Sequence, residues 1–511
     1  MAYQQLVYQD WSKGLAGTGE IDFGTGYAPF FGWVGQVAES FKILAPGHWV
    51  FQIRRGMHYA LDPKSEASRL MGGRELTADD VVWNIWRLHF DPRFPNSGPR
   101  RSIPRVVAAL EVEKTGPWEV TLKTPADPFT AFFWIHSGGC STMMYAREVV
   151  ERYGDANDWR RVVGTGPWMW TEYVPASIAT FTRNPNYWET NPVGAGKGDR
   201  LPYPDTLRLL ILPDMSTNMA AFRTGKLDWI DSLPDIDFER ELRRNPELQY
   251  KNILRGAQSF NFWTSKPPFN DVRVRQALMM ATDFESIVRD LYGGKGEWLV
   301  YPMSPTWKNM YVPYKELPES VQAIYRFNPE RAKQLLAEAG YPGGFKAKLH
   351  IWNASDVVDL GSIFKAMWAK VGVDLELQLR EYETHRQISA AYAWDDMILN
   401  WTTVGDSFFG NYSFRGMTNP TIPGQVWYDK VIEEAFNQTQ KYVFVDFAKA
   451  DEIYRKLVPH VMEQAISLPI PAPYAYRVWH PWLKNYHGEI FLRLSDKYVW
   501  IDQDLKKSMG Y

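Results

Sequence analysis

The sequence has a single cysteine, Cys140, in 511 residues. One thiol closes no internal disulfide and builds no cysteine-based metal site. No apolar run reaches the roughly 18 residues that a membrane-spanning helix needs, and no charged segment followed by an apolar one marks a signal peptide. An excess of charge of either sign is missing too: 57 Lys and Arg stand against 59 Asp and Glu, a formal net charge of -2. That balance leaves no electrostatic footprint for nucleic acid and no polybasic face for a membrane surface. The nine histidines show no H-E-x-x-H and no other paired metal spacing. There is no G-x-S-x-G elbow. Gly164-Thr165-Gly166-Pro167 is glycine-rich but lacks the downstream Lys and Ser/Thr of a phosphate loop, and reads as a tight turn entering a strand. Asp395-Asp396 is the densest carboxylate pair, yet adjacent residues of a strand point to opposite faces and cannot act jointly on one substrate. These absences favour binding over catalysis. An aromatic-lined glycoside hydrolase, with two facing carboxylates from distant parts of the chain, is the alternative. No cofactor is expected.

Aromatic residues are abundant: 23 Trp, 27 Tyr and 27 Phe, 15% of the chain. That is more than a core of this size needs, and part of them is expected to line a site. The length exceeds what one core supports and predicts two to four domains.

Local patterns predict an α/β protein. Trp49–Arg54 and Trp118–Lys123 alternate as strands, and Thr77-Ala78-Asp79-Asp80 has the form of a capping box. Leu207–Leu212, a helix over Ser216–Thr224 and Leu227–Ile230 read as a parallel strand-helix-strand crossover. The stretch Lys266–Thr282 turns at Pro267-Pro268 and starts a helix at Asn270 and Asp271, with Val274, Ala277, Leu278 and Ala281 on its buried face. Asp283 caps a further helix, and Asn328-Pro329-Glu330 starts another, ending at Gly340. Lys348–Trp352, Ser362–Val371 and Val373–Leu379 repeat the crossover pattern. Ala465–Ile470 is the last strand-like segment, after which Pro469, Pro471 and Pro473 are expected to lead the chain away as an extended linker. Met1-Ala2 running into Leu6-Val7-Tyr8 looks like a cut end. His136 and Ser137 follow an aromatic run and are expected to rim a cleft.

Taken together and in order, several motifs resemble family 5 of the extracellular solute-binding proteins, the dipeptide, oligopeptide and oligosaccharide receptors of ABC importers. They are Ala38–Phe41, Phe51–Tyr59, Leu76–Val82, Gly164–Pro167, Arg183–Trp188, Pro267–Ala277 with Asp283, and Asn328–Tyr341. The resemblance implies a two-lobe periplasmic-binding-protein fold, type II and cluster C-like, with a hinged ligand cleft. Lobe I would span residues 1–258, with an inserted subdomain at roughly 38–165. Lobe II would span 259–472, and residues 473–511 would return to lobe I. It also implies a monomer, periplasmic or extracellular and anchored at the cell surface, that hands its ligand to the permease subunits of the importer. Family contacts carry over to Phe260, Asn261 and Trp263, and to Asn400, Trp401 and Thr402, with Asp406 as a further candidate. Two departures stand out. The chain starts after the strand and loop that normally open the family's ligand site. The acid that peptide-binding members place three residues after a Trp is replaced by Val404 after Trp401, the nearest acid being Asp406. Peptide and oligosaccharide ligands stay level on these grounds.

Overall fold

The computed structural model describes residues 1–23, 32–91, 109–125, 143–155, 157–212, 214–256, 258–401, 429–442, 444–490 and 494–511. They divide into two compact units, Met1–Lys251 with Tyr476–Tyr511, and Asn252–Ala475. The borders fall a few residues from the 258/259 and 472/473 expected from the sequence. The chain crosses them inside strands Gln249–Leu254 and Ala472–Trp479. Both strands belong to one sheet, in the order Trp229–Pro234, Ala472–Trp479, Gln249–Leu254. The expected proline linker is therefore a correction: the segment after Pro471 is a strand, and Pro469 sits in the edge strand of another sheet, where a missing N–H is tolerated.

In the first unit, Ala38–Ala45, His48–Ile53, Glu119–Lys123 and Glu111–Gly116 form an antiparallel sheet in that order. Helix Ala78–Phe90 begins with the expected capping box, Thr77 N–H donating to Asp80 at 2.9 Å. Arg74 donates to the same buried carboxylate at 2.6 and 2.8 Å and to Glu148 at 2.7 and 2.9 Å. Trp168–Val174, Ile178–Arg183 and Thr206–Leu210 form a second antiparallel sheet. This corrects the first predicted crossover. Thr206–Leu210 pairs antiparallel with Ile178–Arg183 and is only part-buried, whereas Trp229–Pro234 belongs to a different sheet. A run of leucines reads alike in a buried parallel strand and a half-covered antiparallel one. The C-terminal tail packs into this unit: Glu189 accepts hydrogen bonds from Lys497, Tyr187 and Tyr498. Burial raises the Glu189 pKa, but the Lys497 charge and these bonds outweigh it and hold the carboxyl below its ordinary value.

The second unit is built on a five-stranded sheet. Its elements are β1 (Gln258–Phe262), α1 (Val272–Met280), β2 (Phe345–Trp352), α2 (Ser355–Ala369), β3 (Val373–Arg380), α3 (Tyr382–Ala390), β4 (Met397–Trp401), α4 (Phe447–Glu463) and β5 (Ser467–Ile470). The strand order is β3-β2-β4-β1-β5. β2 and β3 pair in parallel through α2, as the second predicted crossover requires, and β4 is parallel to β2. β1 runs antiparallel to both β4 and β5. Because side chains alternate across a strand, Phe260, Phe262, Met397, Leu399, Leu349 and Ile351 enter the core beside Phe364 and Trp368 of α2. Asp271 caps α1, Asp283 caps the next turn and Asn328 caps Pro329–Glu338, each as read from the sequence.

Arg275 of α1 is 2% exposed. Its guanidinium donates to Phe269 O at 2.6 Å and to Gln464 O at 2.9 and 3.1 Å. Gln464 is the C-cap of α4, and the neighbouring Gln276 amide donates to Glu463 O at 2.8 Å. Two adjacent side chains of α1 thus satisfy carbonyls at the negative end of α4. Burial lowers the Arg275 pKa to about 10, so the side chain is still charged at neutral pH.

Truncating Arg275 strands those carbonyls. Arg275→Ala is expected to cost about 3 kcal/mol or more of unfolding free energy. Arg273, whose exposed guanidinium pairs with Asp271 in its own turn and donates to Glu338 O at 2.8 Å, is expected to change stability far less as Arg273→Ala. Urea titration of both variants checks the contrast.

Candidate functional site

The face of the sheet opposite Phe260 gathers most of the described candidates. Register pairs Ser259 with Asn400 and Asn261 with Ile398 across β1 and β4, and Asn261 with Ser467 across β1 and β5. Partners in register share a face. Ser259, Asn261, Ile398, Asn400 and Ser467 therefore line one side, and Trp263 joins them just past the end of β1. Asn261 is 9% exposed, and its Oδ1 accepts from Ser259 Oγ at 2.9 Å and Ser467 Oγ at 3.1 Å. Asn400 Oδ1 accepts from Ser389 Oγ of α3 at 2.8 Å.

Phe260 is not part of this face. It is 1% exposed, edge-on to Phe364 and Trp368 with centroids at 4.8 and 6.4 Å, because alternation turns it into the core. Trp263 stands edge-on to Trp394 at 5.2 Å, with the Lys266 ammonium 4.0 Å over its ring. Ile398 and Ile388 complete that cluster. Trp401 is different: 45% exposed, it stacks on Trp352 at 5.9 Å and 23°. Tyr382 and His385 both meet Trp352 edge-on, at 5.5 and 5.3 Å. Gly256 lies under Trp401, where an added Cβ would come within 3.0 Å of the indole. Thr402, Asp406, His136 and Ser137 lie outside the described residues, as does Cys140.

Sequence reasoning missed Ser259, Ser389, Ser467, Trp352 and Gly256. The Ser259-x-Asn261 spacing on a strand was a legible sign of a shared face. Ser467 is 206 residues from Asn261 and only register brings it in, whereas Ser389 of α3 reaches Asn400 from 11 residues away in the chain. The Asp395-Asp396 pair is structural. Asp396 accepts from Lys348 N–H at 2.8 Å and its carbonyl from Trp263 N–H at 2.9 Å, while Asp395 faces Lys348 at 3.4 Å and His350 at 3.6 Å. No group of three His, Cys, Asp or Glu suited to a metal ion exists among the described residues.

His350 is paired in register with Ile398, and His385 Nε2 bonds Leu399 O at 2.8 Å. Burial lowers both imidazole pKa values from the ordinary 6.5, outweighing Asp395 at His350 and the carbonyl at His385. Both are neutral in the fold at pH 7.

The arrangement contains donors, acceptors and flat apolar rings, and no nucleophile-base pair among the described residues. It suits reversible binding of an uncharged polar group beside an aromatic surface.

The family model for the bacterial extracellular solute-binding proteins, family 5 Middle, matches residues 32–421. Heme-binding protein A of Haemophilus influenzae is 26% identical over 481 residues, covering 88% of this chain and 81% of that protein. The periplasmic oligopeptide-binding protein OppA of the same organism is 25% identical over 474 residues, covering 86% and 80%. The structure of the oligopeptide-binding protein AppA from Bacillus subtilis in complex with a nonapeptide superposes with a TM-score of 0.72 at 21% identity, over 98% of this chain and 93% of that one. The fold is thus the two-lobe α/β fold of type II periplasmic binding proteins.

Two outcomes follow from the geometry. Trp263→Ala empties a packed cluster and is expected to cost about 3 kcal/mol, whereas the half-exposed Trp401→Ala is expected to cost about 1 kcal/mol or less; thermal unfolding of both variants measures the difference. Because an unfolded His takes up a proton that His350 and His385 resist, stability is full above about pH 6.5 and falls as the pH drops below it. Urea unfolding from pH 7.5 to 5 checks the slope, which should flatten in a His350→Gln, His385→Gln double variant.

Proposed function

The chain belongs to family 5 of the bacterial extracellular solute-binding proteins, and from that premise we propose that its ligand is an oligopeptide, captured for an ABC importer. The observation that carries the peptide reading is the pair of carboxamides, Asn261 and Asn400, on neighbouring strands of one face. Side chains diagonal across two strands stand roughly 7–8 Å apart, a span that suits successive polar groups of an extended chain. OppA and AppA, named for oligopeptides, support the same choice.

In this reading Asn261, Trp263, Asn400 and Trp401 contribute to the ligand site, with Thr402, Asp406, His136 and Ser137 as further candidates. Hinge closure of the two lobes, the mode of periplasmic binding proteins, traps the ligand. A ligand moves such an equilibrium only by its extra affinity for the closed state, and the permease reads that state. No bond is made or broken. The protein works as a monomer, held at the cell surface.

Oligosaccharide is the second reading, favoured by Trp401 stacked on Trp352 and open to solvent over nearly half its surface. Sugar C–H faces lie flat on such rings.

A thermal-shift panel decides among these ligands. Random pentapeptides, cello- and xylo-oligosaccharides, and hemin form its three arms. A ligand at 100 times its dissociation constant stabilises by about 2.7 kcal/mol, and only the peptide arm is expected to show this. Stabilisation by the sugars alone would overturn the peptide reading, and accumulation of reducing sugar would overturn the absence of catalysis.

A further inference from the structure

Helix α3 packs on the candidate face through Ile388 and Ser389, and it does so almost without apolar anchors. Between Tyr382 and Ser389 the one buried side chain is His385, 3% exposed, with Ile388 and Ser389 half-buried. A helix of nine residues is marginal on its own, so its place depends on what that imidazole does. His385 Nε2 meets Leu399 O at 2.8 Å. A carbonyl only accepts, so Nε2 carries the proton and Nδ1 of the neutral ring carries none. Nδ1 has no hydrogen-bond partner among the described residues. The carbonyl that His385 holds lies between Ile398, where the ladder from β2 to β4 ends, and Asn400. The same ring stands edge-on to Trp352 at 5.3 Å, and Trp352 stacks with Trp401.

We infer that His385 is a positioning residue of the candidate site, a latch that fastens α3 beside Asn400 and Trp352 when neutral and releases it when protonated, so that ligand affinity falls on acidification. The inference takes its ligand from the peptide reading. A second proton enters at Nδ1, where a buried N–H and a positive charge both lack a partner. The surrounding groups do not offset that charge. His350 of β2 acts on His385 as a like charge. Asp395 faces His350 and Lys348, at 3.6 and 3.4 Å, and Arg380 of β3 adds positive potential at His350. Within α3 and its cap, Glu381 is taken by the N–H groups of Glu383 and Thr384, and Glu383 faces Arg386 at 3.8 Å. β1 and β4 contain no titratable side chain. Once released into water the imidazole regains its ordinary pKa of 6.5. Between pH 7.5 and pH 5 protonation then favours the undocked helix by at most about thirtyfold.

Two readouts on the intact protein test this. Hydrogen exchange of residues 382–389, read by mass spectrometry at pH 7.5 and pH 5 and corrected for intrinsic rates, is expected to show protection falling about tenfold or more in wild type. It is expected to stay level in His385→Gln, whose amide still donates to Leu399 O but does not titrate. Binding of a random pentapeptide library, read by fluorescence competition, is expected to weaken about threefold or more over the same range in wild type. That is less than the loss of protection because the docked form still dominates. The slope is expected to vanish in His385→Gln and to persist in His350→Gln. A merely structural role for His385 would alter affinity equally at both pH values and leave the slope in place. Level protection in wild type, or the wild-type slope retained in His385→Gln, overturns the inference and leaves the peptide reading standing. Wild type that binds no pentapeptide at either pH overturns the peptide reading, and the exchange readout alone then decides whether the latch exists.

Discussion

A buried guanidinium holds the second unit in register. Arg275 reaches from the first helix after the Pro267-Pro268 turn to Phe269 O on one side and Gln464 O on the other. Gln464 closes α4 and stands three residues before Ser467, so the same contact that satisfies a helix end also sets where β5 begins. β5 then pairs with β1 such that Ser467 lies opposite Asn261. A charge this deeply buried is tolerated because carbonyl oxygens at a helix C-terminus surround it with negative potential. Its cost is visible in the pKa, lowered to about 10.

Built on that register, the two faces of the sheet have separate duties. One is a dry aromatic and aliphatic core in which Phe260, Phe364 and Trp368 meet edge to face. The other carries the amides of Asn261 and Asn400 with their serine partners, and at the last residues of β4 and β2 Trp401 stacks on Trp352. A rigid core behind a polar face is what a receptor needs. In the proposed site the ligand groups would meet partners already ordered by the sheet, and little ordering entropy would remain to be lost on binding.

Much of this was legible in the sequence where the signal is local. The capping box at Thr77 and Asp80, the Asp271 and Asn328 caps and the Val373–Leu379 crossover depend on neighbours within a few residues, and they stand as read. Pairing between distant segments was not legible. Thr206–Leu210 joins an antiparallel sheet although its leucines suit a parallel one, and Pro469 lies within a strand whose edge position tolerates the missing N–H. The same limit applies to the site. Asn261 and Asn400 could be named from motifs, but that Phe260 turns away follows from strand alternation, and that Ser467 stands beside Asn261 follows from sheet register.

Native mass spectrometry of the purified protein, with fragmentation of whatever it carries or takes up from a mixed pool of peptides and oligosaccharides, tests the central claim most directly. The account predicts a one-to-one adduct that fragments into amino-acid residue masses. An adduct that fragments by hexose or pentose losses, with no peptide bound, would contradict it.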